Sequence, residues 1–125
     1  MNPTGTWGDV LKRFAEYTPI VSPPIAEELL RIVRQPSLTK RFGVLGQAQA
    51  IERSLQIIAL AEVAEPQATP RVCRDPKDDM FFACAAAGGA DYIVSEDEDV
   101  LAIAEYEGAR TIRAAAFLHL LDATR

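Results

Sequence analysis

The sequence has very few residues of the kinds that build disulfide or zinc sites. Its 125 residues include two cysteines, Cys73 and Cys84, and one histidine. The cysteines form no Cys-x-x-Cys pair and have no zinc-ligand spacing, which excludes a disulfide-stabilised scaffold and a zinc ribbon. We therefore expect both thiols to be free in a reducing compartment and the protein to be cytoplasmic.

Long apolar runs and an excess of basic residues are also absent. The longest apolar stretches are far shorter than the ~20 residues of a membrane helix, and Met1–Gly8 lacks the apolar core of a signal peptide. We therefore expect no contact with membranes. Thirteen Lys and Arg against eighteen Asp and Glu give a formal net charge of −5, which argues against binding nucleic acid by charge alone. An acidic chain can still act on nucleic acid when metal ions cover its carboxylates.

What remains is the composition of an ordinary globular domain. A hydrophobic fraction of 49% and a charged fraction of 25% are typical of one domain, predicted here to span residues 1–125. Apolar spacing and turn residues predict, in order, a polar loop at Met1–Thr6, a helix over Trp7–Phe14, a strand at Ile20-Val21, a helix opened by Ser22-Pro23-Pro24, a basic turn over Ser37–Phe42, a long helix over Gly46–Ala64, a loop over Glu65–Pro70, a short helix from Val100 ending near Gly108, a strand at Thr111–Arg113 and a helix over Ala114–Ala123.

One stretch, from Asp75 to Asp99, combines a predicted buried helix with a predicted buried strand. Asp78 or Asp79 can cap the helix, whose N-terminus favours an acid. The residues that follow are small or apolar all round, and Gly88-Gly89 ends the helix because glycine accepts the left-handed conformation. Tyr92–Val94 has no polar alternation, which is typical of an interior parallel strand.

Four acids, Glu96 to Asp99, follow that strand directly. Ligands of open α/β sheets bind just beyond the carboxyl ends of the strands, and a hard cation such as Mg²⁺ or Mn²⁺ relieves the repulsion between crowded carboxylates. A helix cap and a solvated turn explain the same acids about equally well. A calcium-binding EF-hand loop is excluded, because its sixth position must be glycine, and the sixth residue counted from Asp97 is Ala102.

The second predicted helix carries two adjacent glutamates with different positions on its surface. Glu27 lies opposite the apolar face, four residues before Arg31, and is predicted to pair with it. Glu28 lies on the flank of the apolar face and can reach over the edge of the sheet. From spacing alone, a rim carboxylate is the more frequent explanation for Glu28.

Three segments of the sequence, in the order in which they occur, resemble the PIN-domain nuclease family, in particular toxin components of bacterial toxin–antitoxin systems. The shared segments are Val21-Ser22-Pro23-Pro24-Ile25 with Glu27-Glu28-Leu29, then Cys73-Arg74-Asp75-Pro76-Lys77-Asp78-Asp79, then Gly88-Gly89-Ala90-Asp91-Tyr92-Ile93-Val94-Ser95-Glu96-Asp97. The likeness runs from about Trp7 to the C-terminus. It implies a three-layer α/β/α sandwich with a parallel sheet.

The resemblance also implies an activity and a site. It implies Mg²⁺- or Mn²⁺-dependent hydrolysis of phosphodiester bonds in single-stranded RNA, with a cognate antitoxin protein as partner. Glu28, Asp79 and Asp97 match the family's catalytic, metal-binding acids, and Asp99 is a common additional metal ligand. Further from the metal, Ser95 matches a position that helps to orient an acid or a phosphate, and Asp78 and Asp75 are weaker candidates for supporting contacts.

The chain departs from the family at its beginning. PIN domains begin with an apolar strand that ends in an Asp, and Met1 corresponds to the loop after that strand. Asp9 lies within the first predicted helix and has no strand before it. We expect an N-terminally truncated fold, explained by a start codon placed too late, by a degenerate copy or by completion from another chain. The alternative function is a catalytically inactive PIN module that binds RNA or a protein partner.

Two further expectations complete the sequence analysis. Leu118, Leu121 and the Trp7 helix are expected to leave apolar surface exposed, which favours a homodimer or capture of an antitoxin segment. A plain metal- or nucleotide-binding α/β domain is a third possible function, disfavoured because the sequence has no glycine-rich phosphate loop.

Overall fold

The computed structural model describes residues 5–124, except for the side chain of Trp7. Its helices and strands are α1 (Gly5–Lys12), β1 (Ile20–Val21), α2 (Pro23–Val33), α3 (Pro36–Leu60), β2 (Glu62–Val63), α4 (Asp79–Gly88), β3 (Tyr92–Val94), α5 (Glu98–Leu101), β4 (Glu105–Tyr106), β5 (Ala109–Ile112) and α6 (Ala114–Ala123). Short 3-10 turns precede β1 and α4, at Phe14–Glu16 and Pro76–Asp78. Of the loop predicted at Met1–Thr6, residues 1–4 lie outside the described residues, and the prediction is wrong for Gly5 and Thr6, which belong to α1. The predicted role of the Trp7 side chain also lies outside the described residues.

The strands form two sheets instead of the single sheet predicted. In the first sheet, β1 pairs in parallel with β2, with Ile20 opposite Glu62. In the second, β3 pairs in parallel with β5, and β4 adds an antiparallel edge to β5. The mixed α/β class and the parallel pairing are confirmed. The prediction of one sheet is wrong for the described residues, because β1 and β3 share no hydrogen-bonded ladder.

Helix α4 contacts a strand of each sheet, β1 and β3. Its C-terminal end lies very close to β1: a Cβ atom at Gly88 would lie 2.6 Å from Cγ2 of Ile20. The helix then ends at Gly89, which has a left-handed φ of 64°, as the sequence predicted. Glycine is therefore required twice here, once for a close approach and once for the turn.

Three groups of buried residues hold these elements together. The first surrounds Phe82 between α4 and the β3–β5 sheet, and comprises Phe82, Ala85, Ile93, Val100 and Ala109. The second lies between α1 and α6 and comprises Val10, Ala114, Phe117 and Leu121. The third joins α2 to α3 through Val33, Leu38 and Ala50.

The second group corrects the predicted exposed surface on α6. Leu121 is only 8% exposed, and Leu118 packs against the same group. The apolar spacing of α6 is satisfied by contacts with α1 and with the sheet, so these leucines do not leave an apolar patch.

Several element boundaries differ from the sequence predictions. The basic turn and the long helix form one element, α3, with a break at Gly43, where φ is 78°. The predicted end of that helix at Ala64 is wrong, because β2 occupies Glu62–Val63. The helix predicted to extend to Gly108 ends at Leu101, and a tight hairpin joins β4 to β5 with positive φ angles at Glu107 and Gly108. Within residues 5–124, none of the helices combines the length and the apolar composition that crossing a membrane requires.

Candidate functional site

Asp79 is the first residue of α4 and the one charged residue that is buried in the part of the chain that the structure describes, with 4% of its surface exposed. Its Oδ1 atom accepts hydrogen bonds from the main-chain N–H groups of Cys73, at 2.7 Å, and Val72, at 3.0 Å. These two bonds, that of Cys73 first, hold the pKa of Asp79 below its usual range. The carboxylate is thereby fixed in position and kept ionised.

Neither Asp78 nor Asp79 caps the helix as predicted. Asp78 precedes α4 but makes no side-chain capping bond, and Asp79 is turned toward the preceding loop. The capping acid is Asp75, whose side chain accepts a hydrogen bond from the main-chain N–H of Lys77 at 3.0 Å, at the start of the 3-10 turn. The extra turn moves the cap upstream and leaves Asp79 available for other contacts.

On the other side of the candidate site, Asp97 follows β3 and caps α5. Its Oδ1 atom accepts a hydrogen bond from the main-chain N–H of Asp99 at 2.8 Å, and its own N–H donates to Oγ of Ser95 at 3.1 Å. Ser95 therefore orients the main chain at Asp97. The role predicted for Ser95, orienting an acid or a phosphate, stays a prediction.

Two of the four acids after β3 are paired with a basic side chain that was not predicted to belong to the site. Arg113, at the end of β5, donates to Glu96 at 2.9 Å and also to Glu98. Glu96 accepts a further bond from the N–H of Ala114 at 2.9 Å, and these contacts, that of Ala114 first, lower the pKa of Glu96. Glu96 and Glu98 therefore anchor the loop to the start of α6. This role distinguishes them from Asp97 and Asp99.

The loop before α4 and the loop after β3 bring their aspartates into one acidic region. The pKa of Asp78 is raised by partial burial first and then by the negative charges of Asp97, Asp75, Asp99 and Asp79. The half-buried thiol of Cys73 lies in the same region: burial, followed by the charges of Asp79, Asp78 and Asp97, raises its pKa to about 11. We call Asp75, Asp78, Asp79, Asp97 and Asp99 the acidic cluster.

Glu28 is paired with Arg31, and the nearby charge of Lys77, the residue before Asp78, also acts on it. Nε of Arg31 donates to Glu28 at 3.0 Å, and a second guanidinium nitrogen donates to its other oxygen. The predicted pair of Glu27 with Arg31 is therefore wrong, because the spacing of three residues forms the bond in place of the spacing of four. The bond from Arg31 and then the nearby charge of Lys77 lower the pKa of Glu28.

The donor atoms of this region suit a hard divalent cation, but their arrangement is incomplete. Carboxylates are the ligands that Mg²⁺ and Mn²⁺ prefer, and the acidic cluster supplies them from two loops. Within the part of the chain that the structure describes, however, no three His, Cys, Asp or Glu side chains are placed to hold an ion together. Glu28 is held by Arg31, and Oδ1 of Asp79 is held by the main chain.

Three groups that shape the site were not predicted from the sequence. The main-chain N–H groups of Val72 and Cys73 leave no signal in a sequence, because every residue except proline carries one. Arg113 could have been suspected as the basic residue that directly follows the predicted last strand. Its position at the same edge as Glu96 follows from the parallel pairing of β3 with β5.

Comparisons with known proteins bear on the whole of this region. A family profile described as the PIN domain matches residues 10–99, a range that contains Glu28 and the entire acidic cluster. Searches among curated proteins and among solved structures found no significant match. PIN domains are generally nucleases and typically use divalent metal ions. Because the profile covers well over half of the sequence, this chain belongs to the PIN domain family.

Proposed function

We propose that this chain is a metal-dependent endoribonuclease that hydrolyses phosphodiester bonds in single-stranded RNA, and that it is the cytoplasmic toxin of a toxin–antitoxin pair. The observation that carries the nuclease proposal is the acidic cluster, in which partial burial and then the charges of Asp97, Asp75, Asp99 and Asp79 raise the pKa of Asp78. Family membership supports the reaction class. The toxin role rests on the resemblance of the three sequence segments named above to toxin components of the PIN-domain family.

In this proposal Asp79, Asp97, Asp99 and Glu28 hold Mg²⁺ or Mn²⁺. A bound divalent ion supplies an activated water and neutralises the charge that develops on the phosphate. The chain's own residues prepare the site: the N–H groups of Val72 and Cys73 fix Asp79, and Ser95 positions the main chain at Asp97. Glu28 must release Arg31 before it can serve as a ligand.

A second candidate, a catalytically inactive PIN module that binds RNA or a protein, is favoured by a specific observation. Among the described residues the carboxylates do not form a three-ligand set, and β1 and β3 lie in separate sheets. A loosely held ion is poorly placed for catalysis, since a misplacement of about 1 Å can cost about a hundredfold in rate. We therefore expect the printed sequence to have little RNase activity.

The experiment compares Mn²⁺-dependent cleavage of single-stranded RNA by the printed sequence and by a version extended with an apolar strand that ends in Asp. We expect about a hundredfold faster cleavage by the extended protein, and loss of that gain in Asp79→Asn and Asp97→Asn. Asp91→Asn is the matched control, because Asp91 is an exposed acid at the opposite end of β3. Equal and robust cleavage by both versions would show that the site needs no further ligand.

Calorimetric titration with Mn²⁺ separates the two candidates when neither version cleaves RNA. The nuclease proposal requires weak binding to the wild type that Asp79→Asn and Asp97→Asn reduce and Asp91→Asn leaves unchanged. Equal binding by all variants would place the ion elsewhere. Binding of RNA without any Mn²⁺ binding would favour the inactive module.

A further inference from the structure

Helix α2 carries an ion pair that occupies one of the proposed metal ligands. Nε of Arg31 donates to one carboxylate oxygen of Glu28 at 3.0 Å, and a terminal guanidinium nitrogen donates to the other oxygen. The side chain of Glu28 is 35% exposed and that of Arg31 is 60% exposed. Both groups are therefore accessible to a ligand that arrives from solvent.

A second cation acts on the same carboxylate. The bond from Arg31 and then the charge of Lys77 lower the pKa of Glu28. Lys77 is exposed, and within residues 5–124 its ammonium group forms no ion pair. Its main-chain N–H is bound by the side chain of Asp75 at 3.0 Å, which holds the turn that carries it. The single negative charge of Glu28 therefore interacts with two positive charges.

A backbone phosphate of a nucleic acid can replace Glu28 in this group. The guanidinium fork of arginine binds the oxygens of phosphate and carboxylate in the same bidentate geometry, and lysine binds phosphate as a point charge. A phosphodiester also carries the same single negative charge as Glu28. Exposed ion pairs contribute little to stability, so one anion can readily be exchanged for the other.

The carboxylate released by this exchange belongs to a helix that contacts the acidic cluster's own helix. Helix α2 contacts α4, which begins at Asp79. Lys77, whose charge reaches Glu28, directly precedes Asp78 in the sequence. While Arg31 is bound, Glu28 is neutralised as an ion pair and both of its oxygens are occupied. Only a released Glu28 has oxygens free for the metal site.

We propose that a backbone phosphate of single-stranded RNA binds Arg31 and Lys77 in the place that Glu28 holds in the free protein, and that this exchange releases Glu28 as a ligand of the acidic cluster. The release of Glu28 as a ligand rests on the proposed function, whereas the phosphate site requires only the two cations. Binding of RNA and binding of metal then assist each other, because each favours the state in which Glu28 has left Arg31.

Binding of a fluorescent single-stranded oligouridine to the full chain, in EDTA and at low salt, tests the phosphate site without metal. Arg31→Met should weaken binding about tenfold, and Lys77→Met several-fold, because each removes a charge-assisted contact. Glu28→Gln should tighten binding about threefold, because it removes the anion that competes for Arg31.

Two control variants change the net charge by the same amounts at other places. Arg110→Met removes an exposed arginine at the start of β5, the end of the sheet opposite Asp97. Glu27→Gln removes the exposed glutamate adjacent to Glu28. Circular dichroism checks that every variant is folded. A wild type that binds no RNA, or effects of the test variants that equal those of their controls, overturns the proposal.

The salt dependence of RNA binding separates a phosphate contact from a change in shape. Each phosphate contact to a single strand contributes about −0.7 to the slope of log K against log salt concentration. Arg31→Met should therefore make the slope shallower by about 0.7. Arg31→Lys should keep the slope and lose only part of the affinity, because lysine retains the charge without the fork. An unchanged slope in Arg31→Met contradicts the contact.

Calorimetric titration with Mn²⁺ in the absence of RNA tests the release of Glu28. Arg31→Met should bind Mn²⁺ several-fold more tightly than the wild type and than Arg110→Met, because Glu28 is no longer held. Adding Glu28→Gln to Arg31→Met should abolish the gain. No gain, or a gain that persists in this double variant, overturns the release. Absence of Mn²⁺ binding in every variant would contradict the proposed function and the release together, while the RNA measurements still decide the phosphate site.

Discussion

The two sheets have the same parallel pairing but very different surroundings. The β3–β5 sheet is covered on both faces, by α4 against Ile93 and Ala109 and by α6 against Tyr92 and Ile112. The β1–β2 sheet ends in an exposed strand, in which Val63 is 63% exposed. Parallel pairs are normally buried on both faces. The comparison indicates that the half of the molecule built on β3 and β5 is covered on both faces, whereas the half built on β1 and β2 presents exposed surface.

Among residues 5–124, both sheets also have an edge without hydrogen-bonded partners. The carbonyls of Pro19 and Val21 accept bonds from β2, so the main-chain groups of Ile20 point away from it. The carbonyl of Asp91 and the N–H of Ser95 bond to β5, so Tyr92 and Val94 point away in the same manner. An unpaired edge is costly and is normally paired or covered. Among the described residues, these edges are therefore available for pairing with a further strand.

The largest effect is expected from a substitution at the centre of the covered half. Phe82 is fully buried and packs edge-on against Tyr106, with ring centroids 5.8 Å apart. Phe82→Ala should reduce the free energy of unfolding by about 3–5 kcal/mol, because the lost side chain leaves a cavity between α4 and the sheet. Urea denaturation measures the loss, with Leu120→Ala as the exposed control. A loss below about 1 kcal/mol would show that this half is not the stable one.

A smaller effect is expected where α1 and α6 cover the same sheet. The Tyr17 hydroxyl donates to the carbonyl of Val10 at 2.8 Å, and its ring packs edge-on against Phe117. Burial raises the pKa of Tyr17 from 10.0 to about 12. The folded state therefore keeps this proton longer than the unfolded state, and stability present below pH 10 is lost as the pH rises toward 12.

Tyr17→Phe should cost about 1 kcal/mol at pH 8, from the lost hydrogen bond, and should make the alkaline loss of stability smaller than in the wild type. Denaturation curves at pH 8 and pH 11 measure both quantities. An equal alkaline loss in the two proteins would assign it to other groups.

The smallest effect is expected in the exposed half. Val63→Thr keeps a β-branched side chain on an exposed strand, so the unfolding free energy of dilute protein should change by less than about 0.5 kcal/mol. The matched change in the covered half is Ile93→Thr, which places a hydroxyl among buried apolar side chains and should cost several times more. Similar losses of unfolding free energy for Val63→Thr and Ile93→Thr would show that the two sheets do not differ in how much their covering contributes to stability.

Local features of the sequence determined much of the fold. The run Tyr92–Val94, the strand at Ile20-Val21, the glycine stop at Gly89 and the helix over Ala114–Ala123 all follow from short-range properties, and the structure has each of them. They were predictable because β-branched runs, apolar spacing and the left-handed preference of glycine act within a few residues. The acids of the candidate site were also visible as residue types before and after a buried strand.

Tertiary structure decided which partner each acid has. Helix α2 places Glu28 three residues before Arg31 and Glu27 four residues before it. In the folded chain, Arg31 pairs with Glu28. Asp79 is held by main-chain N–H groups, which no residue identity reveals, and Glu96 is held by Arg113 from the next strand. The split into two sheets has the same origin. Strands β2 and β4 are only two residues long, too short to show a periodicity, so they exist only because neighbouring strands supply their hydrogen bonds.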